Sequence, residues 1–142
     1  MNQGEKIHSA FVKAVHSLAS NATIVMGYRQ LKSEDRQGFI RVLEKRKTAI
    51  LVLLDLAEKV NRAGFFSGEK GKLEKEFAAF FYELKQGNKE QAWAAADLLI
   101  PHFHTLQDEM KTRLGVIGER PHKSVLELME EGRQSKRGKR AA

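Results

Sequence analysis

Apolar residues recur every three or four positions along most of the chain, the spacing that gathers them on one side of an α-helix. Ile7, Phe11, Ala14, Val15 and Leu18 form the first such stripe, on a helix that begins near Gly4. Ala22 and Val25 prolong it, but Asn21, Thr23 and Gly27 are poor helix formers and predict a kink or break within 21–27. Ser33 followed by Glu34 and Asp35 reads as an N-cap with acids in the first turn, where the helix dipole favours negative charge. Phe39, Leu43, Ile50, Leu54 and Ala57 are the stripe of this second helix, and Gly64 is its expected stop after about 30 residues, or ~45 Å. The run Ala49–Leu54 is apolar on every side, which asks for neighbours on several faces or a subunit interface.

Three glycines, an exposed-looking Phe65–Phe66 pair and a lysine make 64–71 the expected loop before a third helix. That helix carries Leu73, Phe77, Phe80, Phe81 and Leu84. Gly87 and Asn88 then predict a tight helical hairpin, with Gln91 completing a capping box. Trp93, Ala96, Ile100, Phe103, Leu106 and Met110 mark a fourth helix, which Pro101 should kink or split and Gly115 should end. Ser124 and Glu127 cap an expected short fifth helix stopped by Gly132. No stretch alternates with the period of a strand, and no repeat appears at the periods of helical arrays. The reading is therefore all-α: a single-domain bundle of four to five helices over 1–132, followed by a flexible basic C-terminal tail at 133–142.

Composition narrows the chemistry. The 142 residues hold no cysteine, which excludes disulfides, thiolate zinc ligands and thiol nucleophiles and suits a reducing, cytoplasmic setting. The start of the chain lacks the basic region and continuous apolar core of a secretory signal. The longest apolar run is far short of the roughly 20 residues of a membrane span, so no membrane partner is expected. The formal charge is +7, but five of the 25 bases lie in 133–142, where there is no acid; the body before it carries 20 bases and 18 acids, a charge of +2. Such a tail attracts polyanions without selecting one.

Five histidines raise the question of a metal, yet His102 and His104 point to different helix faces, and His8 and His16 lie two turns apart without an accompanying carboxylate motif. No metal or other cofactor is expected. No nucleophile elbow, phosphate loop or paired carboxylates appear, so the chain reads as non-catalytic.

The residues left for function are basic or exposed apolar. Arg133, Lys136, Arg137, Lys139 and Arg140 in the tail, with Arg41 and Lys45 on the outer face of the second helix, are candidate contacts to nucleic acid. Arg29, Lys32 and Arg36 share a face with one another only if the first two helices are continuous. Arg46 is anomalous, because it falls among Phe39, Leu43 and Ile50 on the apolar side; a snorkelling stem, an ion pair and a partner contact all fit. Arg46, Leu51, Val52, Phe65, Phe66, Phe80 and Phe81 are the candidate contacts to a protein partner or a second copy. The leading expectation is an accessory subunit that binds DNA, RNA or a nucleoprotein complex through the tail and basic faces. The alternative is a protein-interaction module (adaptor, regulator or chaperone) using its apolar helix surfaces.

Overall fold

The computed structural model describes residues 2–27, 31–116, 129, 132 and 133. Among them the chain forms four helices and no strand: α1 (Gln3–Val25), α2 (Ser33–Val60), α3 (Phe65–Gln86) and α4 (Lys89–Arg113). Each helix packs on its chain neighbour, and α4 closes the ring against α1. Cross-contacts fix the directions. Lys70 meets Asp55 and Lys85 meets Glu44 across α2 and α3. Phe65 meets Arg113 and Phe77 meets Phe103 across α3 and α4. Gly4 meets Leu114 and Phe11 meets Phe103 across α1 and the α4 end; Ser17 meets Arg46, and Val25 lies near Arg36, across α1 and α2. Every neighbour is thus antiparallel, giving an up-down-up-down four-helix bundle.

The core follows the stripes. Phe11, Phe77 and Phe103 meet at its centre, with ring centroids 6.5 Å apart for Phe11–Phe103 and 5.8 Å for Phe77–Phe103. Tilted and edge-on arrangements of this kind add to what burial alone contributes. Leu43, Ile50, Leu54 and Ala57 bring α2 to the same core, fully buried. No buried residue among those described is polar or charged, so apolar burial dominates the interior. Met129 is buried too, bordering an apolar gap of about 10 Å³ with Leu18, Ala22, Phe80 and Ala96.

The helix ends repay inspection because several differ from the expectations. α1 starts on Asn2, whose Oδ1 accepts from the Glu5 amide at 2.8 Å, and it runs unbroken to Val25 before leaving helical geometry at Met26 and Gly27. Ser33 is the first residue of α2 rather than its cap; Lys32 holds that place and makes no side-chain capping bond. The expected loop at 64–71 shrinks to 61–64. α2 ends at Val60, and Gly64 in the left-handed region (φ 83°) turns the chain directly into α3. The missing cap comes from the previous helix: Glu58 accepts from the amides of Gly64 (2.9 Å) and Ser67 (3.1 Å).

Gly87 (φ 78°) ends α3 in a Schellman arrangement, with the Asn88 amide bonded to the Glu83 carbonyl and the Gly87 amide to that of Leu84. Gly115 ends α4 as expected, with Val116 bonded back to Lys111. Asn88 precedes α4, but its side chain donates to Glu83 and no capping box with Gln91 forms. Pro101 does not split α4, which is one helix from Lys89 to Arg113. The expected helix from Ser124 lies mostly outside the described residues.

Candidate functional site

Burial sorts the candidate residues into two groups. Phe66, Phe80 and Phe81 are core residues, not a partner surface. Because α3 begins at Phe65, its helical period carries Phe66 onto the same face as Leu73, Phe77, Phe80, Phe81 and Leu84, and α2 and α4 cover that face from both sides. Phe65 is partly buried, and the Arg113 guanidinium lies 4.0 Å from its ring centroid. Lys47 similarly covers Phe81 at 5.2 Å. Arg46 is tied to α1, its Nε donating to Ser17 Oγ at 2.9 Å. The residue as a whole is exposed. Leu51 is partly buried against the core. Val52 is different, at 50 % exposure.

The cationic candidates separate in the same way. Arg133 is held by α4, with its guanidinium 4.6 Å from the Trp93 ring centroid and Nη2 2.7 Å from Asp97 Oδ1. Its charge is thereby engaged within the fold. Lys136, Arg137, Lys139 and Arg140 lie outside the described residues, as does Arg29. Arg36 donates to the carbonyl of Leu84 at the end of α3. Arg41 and Lys45 are exposed and make no ion pair among the described residues.

A cleft of about 320 Å³ between α2 and α3 is lined by Arg36, Gln37, Ile40, Arg41, Glu44 and Lys85. Its one acid is paired with a lysine, and Arg36 is engaged by the Leu84 carbonyl. Lys85 Nζ lies 2.9 Å from Glu44, and this hydrogen bond, helped by the charges of Lys85 and Lys47 against a small burial penalty, holds the Glu44 carboxyl below the ordinary glutamate range. The cleft contains no nucleophile beside a base. Nor does any group of three or more His, Asp or Glu among the described residues have the geometry to hold a metal ion. The nearest approach is His102, whose Nε2 is 2.6 Å from Glu69 Oε2 and whose Nδ1 meets Glu76 Oε1. The imidazole stands between the two carboxylates, so it acts as a brace between α3 and α4 and does not point into an open site.

The unspent surface is the outer face of α2. Val42, Lys45, Ala49, Val52, Leu56 and Lys59 follow one another at alternating spacings of three and four, the heptad spacing of a helix seam. Val52 is 50 % and Val60 40 % exposed, with Val42, Ala49 and Leu56 only partly covered. Over Val42–Val60 the carboxylates of the same helix turn the other way: Glu44 to Lys85, Asp55 to Lys70 at 3.0 Å, and Glu58 to the first turn of α3; Glu34 and Asp35, exposed in the first turn of α2, precede this stretch. Arg41, Lys45 and Lys59 are left facing solvent, with no ion pair among the described residues.

The heptad was visible in the sequence, overlaid on the core stripe that Leu43, Ile50 and Leu54 made obvious. The all-round apolarity of Ala49–Leu54 was its trace. The Glu58 cap had no such signal, because a cap supplied from six residues upstream obeys no local motif.

Comparison with known proteins assigns no family. No family model, characterised protein or solved structure matches the chain. Any functional reading rests on this chain's own residues. No described helix is long and apolar enough to cross a membrane.

Proposed function

We propose that the chain is a non-catalytic helical binding module whose outer α2 face docks a protein partner. The observation that carries this reading is the pairing of exposed Val52 and Val60 with a continuous heptad stripe on a helix whose opposite side is already buried in the core. A helix that presents one apolar face inward and a second outward meets the usual requirement for helix-on-helix recognition. The face carries cations among its apolar residues rather than catalytic groups, which suits binding rather than chemistry.

Attraction of nucleic acid is a second reading, favoured by Arg41 and Lys45, which are exposed without an acidic partner among the described residues. Together with the basic segment at the end of the chain they could engage phosphates. The stripe between them is less suited to that task, because Val and Ala side chains neither bond phosphate nor stack on bases. Fluorescence anisotropy with labelled single-stranded and duplex DNA and RNA across a salt series, with and without residues 134–142, tests this reading. Binding that falls steeply with salt and is lost with the segment supports it. Absence of binding near physiological salt removes it and leaves the protein-binding reading alone.

A further inference from the structure

We infer that the occupant of the outer α2 face is an acidic amphipathic helix, and not a second copy of this chain or a nucleic acid; the inference rests on the binding-module reading. The charge distribution of α2 is the argument. Along the stripe from Val42 to Val60 its acids are Glu44, Asp55 and Glu58, and all three are engaged by α3, as ion pairs to Lys85 and Lys70 and as a cap on Gly64 and Ser67, while Glu34 and Asp35 lie before the stripe in the first turn. Its outward cations, Arg41, Lys45 and Lys59, stand beside or within the apolar seam with nothing to neutralise them among the described residues. A surface whose apolar seam carries cations within it and beside it complements a helix with aliphatic residues on its seam and carboxylates flanking them.

Self-association is disfavoured by the same arrangement. Lys45 and Lys59 occupy seam positions, so two α2 faces brought together over Val42–Val60 would enclose the lysines of both copies, and that stretch offers no acid that α3 has not already engaged. Charge at such positions costs stability in a like pairing and is relieved only by an opposite charge. Nucleic acid would satisfy the cations but leave Val52, Leu56 and Val60 with nothing apolar to meet. An acidic amphipathic helix of about 20 residues, or ~30 Å, satisfies both along the stripe from Val42 to Val60.

The test uses the full chain and a synthetic helical peptide of about 20 residues, with Leu at its seam positions and Glu flanking them, beside a permuted peptide of the same composition. The expected result is saturable binding of the first peptide only. Val52→Glu and Lys45→Glu should each weaken it by about tenfold or more, while circular dichroism and the melting midpoint stay at the parent values because both side chains are exposed. Charge reversal separates recognition from simple apolar adhesion: Lys45→Glu combined with Lys59→Glu should lose the Glu peptide and gain the matching peptide with Lys in place of Glu. Equal binding of the permuted peptide, or binding indifferent to Val52→Glu, overturns the inference. Sedimentation showing a dimer of the parent chain that Val52→Glu dissolves also overturns it, assigning the face to a second copy and leaving the module reading intact. Oligonucleotide binding lost in Val52→Glu overturns both.

Discussion

Gly4 in the first turn of α1 lies against the main chain of Leu114 at the end of α4, so closely that a Cβ on Gly4 would stand 2.4 Å from the Leu114 carbonyl oxygen. Backbone cannot yield as a side chain would, so Gly4→Ala must push the two helix ends apart. The expected cost is about 1–3 kcal/mol, read as a lower melting midpoint. Gly68 and Gly71 on α3 are the controls. They have open space where a Cβ would go and ordinary helical φ, so Gly68→Ala and Gly71→Ala should each stabilise by up to about 1 kcal/mol.

Glu58 ties α2 to α3 through the backbone amides it accepts, and hydrogen bonds from Gly64 and then Ser67 hold its carboxyl below the ordinary glutamate range. Glu58→Ala should therefore lower the melting midpoint by a few degrees at neutral pH. The sign of the pH dependence follows from the depressed value. The stabilisation is fully present above the unfolded glutamate value of about 4.3 and is lost as pH falls through the folded one. Glu44, depressed by Lys85, acts in the same direction. The midpoint difference between the parent and Glu58→Ala should shrink on acidification, which thermal melts between neutral and strongly acidic pH would show.

Phe103 contacts rings from two other helices, Phe11 on α1 and Phe77 on α3. Phe103→Ala removes the node at which α1, α3 and α4 meet and should cost about 3–5 kcal/mol in chemical denaturation. A loss that large can leave the chain unfolded at body temperature, so Phe103→Leu, with a smaller loss, provides the graded point.

His102 faces Glu69 and Glu76 from α4, with side-chain exposures of 11 %, 16 % and 25 % respectively. His102→Ala removes a partner from two partly buried carboxylates, of which Glu69 keeps Lys72 at 3.4 Å, and should destabilise by about 1–3 kcal/mol. Adding Glu69→Gln and Glu76→Gln to that variant should recover part of the loss, which a denaturation series on the parent, the single and the triple variant would show.

The helices and their core faces were legible because the spacing of Ile7, Phe11, Leu18, Phe77 and Phe103 reflects burial directly. What was hidden depends on contacts between distant segments. The run Phe65–Phe66 looked exposed because Gly64, Gly68 and Gly71 suggest a loop, yet the carboxylate of Glu58 starts α3 and the burial of Phe66 outweighs two helical glycines. Pro101 looked like a break, but the stripe on both sides, from Ala96 to Leu106, keeps α4 whole. At the candidate site the sequence showed which residues are cationic and which apolar. It did not show that α3 engages Glu44, Asp55 and Glu58 of α2 and leaves Arg41, Lys45 and Lys59 outside.

The chain has no cysteine, so Val52→Cys creates a unique attachment point for an environment-sensitive fluorophore on the α2 face. The same label at Tyr82, 62 % exposed on α3, reports on a surface outside the stripe. Titrating both labelled chains with the acidic amphipathic peptide tests the central claim most directly. A blue shift at position 52 that saturates with peptide, and none at position 82, is the predicted result; a shift at 82 with none at 52 would contradict it.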